Sequence, residues 1–293
     1  LDEFNSLWEK SKSYSEIKDK YVEEFASNQI ETVTKKIISE EIKPNKMQRS
    51  FIENFEKLRN QDNKGLLISA TGTGKTFAAA FAMKSIGAKR LLFIVHREQI
   101  ARQALETFKT IFGTSRSYGL LTGKEKNIEA DFIFSTVQTI SKEDVFKSFN
   151  ETHFDEIIVD EVHRAGADSY LRLMDYFKPT FYLGMTASPD RTDSFNIYEL
   201  FNNNIVYEVR LKEAMENSLL CPFHYFGISD LEVDGKVIDE LSEFSNLVSN
   251  ERVEHIISKI NYYSYSGDRV KGLVFCSSKQ EAKVLSEEFN RRG

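Results

Sequence analysis

Cysteine is scarce in this chain of 293 residues: only Cys221 and Cys276 occur, both apolar-flanked but in otherwise unlike contexts. A disulfide scaffold is therefore excluded, and a reducing, cytoplasmic setting is expected. Four prolines and fourteen glycines are too few for a collagen-like chain, and no low-complexity segment or short-period repeat is present. No apolar run approaches the roughly 18–20 residues of a membrane span, and no charged-then-apolar start suggests a signal peptide. A membrane is not expected as a partner. The five histidines, His96, His153, His163, His224 and His255, lack the spacing of a zinc site.

What is present suits a folded, water-soluble chain: 41% hydrophobic and 29% charged residues allow a sizeable core and exclude disorder. At roughly 150 residues per domain, about two domains are expected. The first residue is Leu1, not methionine, and Gly293 directly follows a helix-like pattern. A piece of a longer protein is expected.

The net charge of −6 is unevenly distributed. Between Lys64 and Lys126 there are eleven Lys/Arg against three Glu and no Asp, an excess of eight positive charges, so the remainder carries fourteen net negative ones. Such asymmetry points to a basic face for a polyanion, with ordinary scatter as the competing reading.

Residues 1–43 are charged and helix-favouring, with apolar residues at Phe4, Leu7, Trp8, Ile17, Tyr21, Val22 and Phe25. That spacing predicts an amphipathic helical arm or connector. After Pro44, Met47, Phe51, Ile52, Phe55 and Leu58 predict another helix. From Gly65 the pattern changes to short apolar runs, 66–69, 91–95, 132–135, 157–160 and 181–184, separated by helical stretches such as 98–112. Strands apolar on both faces that alternate with helices predict a buried parallel sheet. Ligands bind such sheets at the carboxyl ends of the strands, so the residues just after each strand carry the interest. A polar stretch follows, with a linker expected over 229–250. A second strand–helix unit then begins, with strand Gly272–Phe275 and helix Gln280–Asn290. Tyr262, Tyr263 and Tyr265 read as core or surface aromatics rather than a stacking patch.

Three strand ends carry chemistry. The first reads Ser69-Ala70-Thr71-Gly72-Thr73-Gly74-Lys75-Thr76. Glycines let backbone N–H groups turn toward phosphate oxygens, and a helix amino terminus adds partial positive charge. Lys75 is placed to reach β- and γ-phosphates, and Thr76 to ligate Mg²⁺. The strict pattern has glycine where Ser69 stands, so this loop is a variant. A chance Gly-Lys-Thr turn is the alternative, and the flanking strand and helix argue against it. The second is Asp160-Glu161-Val162-His163 after Ile157–Val159. Two carboxylates ending a buried strand call for a counter-charge, such as Mg²⁺ on Asp160. Glu161 is then placed to orient water. A helix-capping acidic pair is the bland alternative. The third, Thr186-Ala187-Ser188-Pro189, offers hydroxyls to the acidic pair or a plain turn.

In this order the motifs resemble those of superfamily 2 helicases and translocases with a DEAD/DEAH-like box, and are similar to helicase subunits of restriction-enzyme-like proteins. The resemblance runs from about Pro44 into the second strand–helix unit. It implies an α/β fold: a RecA-like P-loop parallel sheet flanked by helices over 44–228, and the start of a second, truncated RecA-like domain over 251–293. ATP then lies between two such domains, with Mg²⁺. The resemblance makes Gln48 an adenine reader, and assigns Thr71, Gly72, Thr73, Gly74, Lys75 and Thr76 to the nucleotide. Catalysis falls to Lys75, Asp160, Glu161 and His163, the last also coupling ATP to the second domain. His96, Arg97, Gln103, Thr136 and Gln138 match motifs that contact a nucleic-acid backbone, and Thr186 and Ser188 match the linkage motif. His96 and Arg97 also read as a solvated strand end.

The function so implied is an ATP-dependent helicase or translocase acting on DNA, with RNA left open. Two alternatives stand beside it: a subunit of a restriction-type nuclease whose cleavage domain lies outside this chain, and a non-motor ATPase switch acting on a protein partner. The family's γ-phosphate arginines come from the second domain. Arg291 and Arg292 do not match that motif, so this chain alone is expected to hydrolyse nucleotide poorly.

Overall fold

The computed structural model describes residues 42–164, 168–189, 196–228, 231–233, 236–238, 249–263 and 270–292. The arm expected over 1–43 therefore lies almost wholly outside the described residues. One compact unit runs Ser39–Phe223, and the described residues from His224 onward belong to a second.

The first unit opens with α1 (Lys46–Arg59), which starts on a capping box. The Asn45 side chain accepts a hydrogen bond from the Gln48 backbone, and the Gln48 side chain accepts one from the Asn45 backbone. Met47, Phe51 and Phe55, at helical spacing, are buried against the sheet.

The seven strands are β1 (Lys64–Ser69), β2 (Leu91–Val95), β3 (Tyr118–Leu121), β4 (Phe132–Thr136), β5 (Glu156–Asp160), β6 (Phe181–Thr186) and β7 (Ile205–Val209). They form one sheet in the order β3-β4-β2-β5-β6-β1-β7, every neighbouring pair parallel. Side chains alternate between two apolar layers. Leu67, Phe93, Phe134, Ile158 and Leu183 pack under α1, α2 (Lys75–Ser85) and α3 (Glu98–Phe112). Leu66, Ile68, Leu92, Ile133, Ile157 and Val159 face the opposite layer. That layer is built from the short helices α4 (Val137–Ile140) and α5 (Glu143–Phe146), then α6 (Asp168–Tyr176) and α7 (Ile197–Leu200). Burial on both faces explains why the strands read as unbroken apolar runs. The chain continues from β7 into α8 (Leu211–Glu216).

The five strands expected between residues 66 and 184 are present, and the α/β fold with a parallel sheet is the one that the resemblance implies. The two edge strands, β3 and β7, escaped the pattern. Each has one neighbour; β3 is only four residues long, and β7 is partly exposed and carries the polar Glu208 among its apolar residues.

The second unit departs further from expectation. The stretch expected as a linker holds a short antiparallel pair, β8 (Leu231–Val233) and β9 (Lys236–Ile238). The expected helix is α10 (Lys279–Arg292), preceded by α9 (Asn250–Tyr263). Arg252 on α9 pairs with Glu281 on α10 at 2.8 Å. The expected strand Gly272–Phe275 does not form, and Leu273 and Phe275 are 87% and 92% exposed. A strand needs a neighbour for its backbone N–H and C=O groups, and among the described residues none pairs with this segment.

One buried charge ties α1 to the sheet. Glu156, at the amino end of β5, is 1% exposed and accepts from Arg59 Nε at 2.9 Å and Nη2 at 2.7 Å. Burial pushes its carboxyl up to about 7 from an ordinary 4.5, and Arg59 offsets only part of that. Its second oxygen, Oε2, has no hydrogen-bond partner among the described residues. Because the folded value is the higher one, the contribution of Glu156 to stability is complete below about pH 4.5 and is lost as pH rises through about 7. Urea unfolding between pH 5 and 8 is expected to show a flatter decline for Glu156→Gln than for wild type; parallel profiles would refute this assignment.

Candidate functional site

All strands of the sheet run one way, so all their carboxyl ends lie along one edge. Three of them, β5, β6 and β1, are consecutive there, which sets the ends carrying Asp160, Thr186 and the 69–76 loop side by side. On the far side of β5 come β2 and then β4, whose ends lead into His96–Arg97 and Gln138.

The 69–76 loop is shaped by two glycines. Gly72 and Gly74 have φ of 89° and 90°, a region in which L side chains are strained. Gly74 caps α2 without any side-chain hydrogen bond, so the first N–H groups of that helix keep their donor capacity for an anion. A side chain at Gly74 would also collide with Gln48, whose Nε2 lies 2.9 Å from the position of its Cβ.

Lys75, the first residue of α2, folds back over the loop. Its Nζ donates to the Ser69 carbonyl at 2.9 Å and reaches the Ala70 carbonyl at 3.4 Å. Burial lowers its pKa, while Asp160 and then Glu161 oppose that shift. Thr71 and Gly72 are exposed, Thr76 is half-buried, and Thr73 is buried with its hydroxyl turned inward. Gln48 sits beneath: its Nε2 donates to the Gly74 carbonyl at 3.3 Å, while its Oε1 accepts from Asn45 at 2.9 Å. Among the described residues, one N–H and one lone pair of this amide stay uncommitted.

The acidic pair has a different character. Asp160 is pushed up to about 6, first by burial and then by the neighbouring charge of Glu161, against the Glu161 backbone N–H and Lys75. The site is short of positive charge. Glu161 has a φ of 53°, in the left-handed region, and its side chain lies against His163. His163 Nδ1 lies 3.2 Å from Glu161 Oε2 and 3.0 Å from Thr186 Oγ1. The Thr186 hydroxyl accepts in turn from the Ser188 backbone N–H at 3.1 Å. The ends of β5 and β6 are thus joined through His163. Among the described residues, no group of three or more His, Cys, Asp or Glu is arranged to hold a metal ion. The hard oxygens of Asp160 and Thr76 suit magnesium, which commonly takes one or two carboxylates and completes its shell with phosphates and water.

At the neighbouring strand ends, the exposed Gln138 side chain lies 3.2 Å from His96 Nδ1 through Nε2, bridging β2 and β4. Arg97 is exposed at the start of α3. Thr136 is buried and shares a hydroxyl hydrogen bond with Thr139 at 2.9 Å, so its side chain braces the turn rather than facing outward. Gln103 is exposed on α3, and no hydrogen bond of its side chain joins it to the other four among the described residues. The structure therefore brings His96 and Gln138 into contact but leaves Gln103 apart.

Sequence reasoning missed two contributors. Asn45 fixes Gln48, and the Asn-x-x-Gln spacing of a capping box was the available signal. Ser69 was noted only as a departure from glycine, although its hydroxyl meets Thr73 inside the loop.

Comparison with known proteins adds family context. A family model described as type III restriction enzyme, res subunit, matches residues 41–191, just over half of the chain. The chain is 29% identical over 262 residues to a type I restriction enzyme EcoAI endonuclease subunit of Escherichia coli, covering 79% of this chain and 32% of that protein. It is 23% identical over 206 residues to the DNA 3'-5' translocase XPB2 of Sulfurisphaera tokodaii, covering 68% and 44%. The chain thus spans about a third to under a half of these relatives' lengths. Among solved structures, the ATP-dependent type ISP restriction-modification enzyme LlaBIII bound to DNA matches with a TM-score of 0.50 at 16% identity. That match covers 65% of this chain and 16% of the other, and shows a shared fold.

The loop geometry makes a direct prediction. Gly74→Ala is expected to cost about 1–3 kcal/mol of stability from its φ and its collision with Gln48. Gly87 has a φ of +65°, but among the described residues nothing lies within 4 Å of where a Cβ would stand, so Gly87→Ala is expected to cost less. Equal losses in chemical denaturation would show that the Gln48 contact does not restrict position 74.

Proposed function

Because this chain belongs to the type III restriction enzyme res subunit family, we propose that it is the ATP-binding part of a nucleic-acid helicase or translocase acting on DNA. The observation that carries this reading is the shared carboxyl edge. The 69–76 loop, Thr186 and the Asp160–Glu161 pair stand on three consecutive strands, β1, β6 and β5, with His96, Arg97 and Gln138 beyond β5.

In this reading the triphosphate of ATP lies against the loop backbone and the amino end of α2. Lys75 gives up the Ser69 and Ala70 carbonyls for β- and γ-phosphate oxygens, which add negative charge beside an ammonium whose burial Asp160 and Glu161 only partly offset. Thr76 and Asp160 would hold magnesium, which supplies positive charge to the phosphates when bound. Glu161 orients the attacking water and accepts its proton. His163, between Glu161 and Thr186, holds that carboxylate and passes its position to the end of β6, where Thr186 and Ser188 link it to domain motion. Gln48 reads adenine with the N–H and lone pair that its contacts to Gly74 and Asn45 leave over.

The nucleic-acid face is assigned to His96, Arg97, Gln103, Thr136 and Gln138. Arg97 is the cation suited to a phosphate fork, and Gln138, exposed beside His96, offers an amide. Thr136 acts through the shape of its turn. Alternating closure of two RecA-like domains around ATP then moves the protein along a strand or separates a duplex. A role serving a restriction-type nuclease domain elsewhere in a longer protein is favoured by the likeness to the endonuclease subunit. The free cysteines Cys221 and Cys276 suit a cytoplasmic setting, and among the described residues no helix is long and apolar enough to cross a membrane.

Calorimetric titration of ATP with Mg²⁺ is expected to show binding by wild type and at least a tenfold weaker signal for Lys75→Ala. Unchanged affinity in that variant would overturn the nucleotide assignment. On a labelled single-stranded DNA, Arg97→Ala is expected to weaken binding and to reduce the slope of log affinity against log salt by about 0.7. An unchanged slope would remove Arg97 from the phosphate path, and absence of salt-sensitive binding in wild type would favour a protein partner.

A further inference from the structure

Ser69 stands where the strict phosphate-loop pattern has glycine, yet it is not a passive replacement. It is completely buried, and its Oγ lies 2.5 Å from Thr73 Oγ1. The Thr73 hydroxyl carries one proton, and its geometry donates that proton to the Ala70 carbonyl at 2.7 Å. Ser69 must then be the donor to Thr73. The result is a directed chain inside the loop: Ser69 hydroxyl to Thr73 hydroxyl to Ala70 carbonyl. Thr73 is 4% exposed, so this hydroxyl is turned away from any ligand on the outside of the loop.

The chain ends where Lys75 rests. The Ala70 carbonyl that accepts from Thr73 is also within 3.4 Å of Lys75 Nζ, and the carbonyl of Ser69 itself holds Nζ at 2.9 Å. The two hydroxyls therefore hold in place the peptide groups that seat the lysine, and they brace the segment between the strand end and the two positive-φ glycines. A buried hydroxyl left without its partner costs more than the bond contributes when made, so both must be present or the loop rearranges.

We propose that Ser69 and Thr73 are positioning residues for nucleotide: their hydroxyl chain preorganises the loop and the seat of Lys75. This rests on the reading of the loop as a nucleotide site. Its consequence runs against the sequence pattern, because restoring the strict glycine is expected to weaken binding. A buried hydrogen bond contributes about 1 kcal/mol net, and 1.4 kcal/mol is tenfold in affinity. Loss of the chain is thus expected to raise the Kd for ATP with Mg²⁺ about fivefold or more.

The experiment measures that Kd by calorimetry, and the Tm without nucleotide, for wild type, Ser69→Gly, Ser69→Ala, Thr73→Val, Thr73→Ser and the Ser69→Ala/Thr73→Val pair. Ser69→Gly, Ser69→Ala and Thr73→Val are expected to bind about fivefold or more weakly, with Thr73→Ser staying within about twofold of wild type. The double variant is expected to lose no more than its worse single, since both changes break one chain. Ser69→Gly binding as tightly as wild type overturns the inference, as do additive losses in the double variant. A Tm that falls while ATP affinity holds overturns it too, leaving only a packing role. Wild type that binds no ATP would instead overturn the nucleotide reading and take this inference with it.

Discussion

One constraint organises this molecule: the backbone hydrogen bonds of its main sheet all join strands that run the same way. Parallel strands need long crossovers, so every connection passes over a face as a helix or an extended loop. The carboxyl ends of all seven strands consequently share one edge. Segments as distant in sequence as those of Lys75, Asp160 and Thr186 are brought to one edge because the ladder sets their strands side by side. Both faces of the sheet are filled by apolar side chains, which leaves the polar groups to the strand ends.

At the edge, the polar groups bind one another. Lys75 rests on the Ser69 and Ala70 carbonyls, Glu161 lies against His163, and His163 reaches Thr186. Each of these contacts satisfies a group that burial would otherwise penalise. Two of them involve the groups assigned to phosphate and water, so a ligand that binds there exchanges existing hydrogen bonds for its own. The pKa of Asp160 is raised and that of Lys75 lowered for the same first reason, burial of a charged group at this edge.

The central strands were legible because burial on both faces writes itself as short apolar runs. The 69–76 loop, the Asp160–His163 segment and Thr186 were legible because each directly follows or ends such a run. The edge strands β3 and β7 were not, since β3 is only four residues with a glycine inside it and β7, partly exposed, carries Glu208 among its apolar residues. Gly272–Phe275 has the composition of a buried strand, yet Leu273 and Phe275 stand exposed, because composition specifies a strand only where a neighbour completes its hydrogen bonds. The inward turn of the Thr73 and Thr136 hydroxyls was also invisible, as spacing places a residue on a loop but not the rotamer it adopts. Gln48 was legible as a residue of interest, whereas its ties to Gly74 and Asn45 needed coordinates.

The central claim is that this edge binds the β- and γ-phosphates of a nucleotide through the 69–76 loop. Its most direct test compares the affinity of the protein for a non-hydrolysable ATP analogue with that for AMP, both with Mg²⁺. The account predicts that the analogue binds at least tenfold more tightly, because Lys75 and the amino end of α2 engage only the terminal phosphates. Equal affinities for the two nucleotides, or binding of neither, would contradict it.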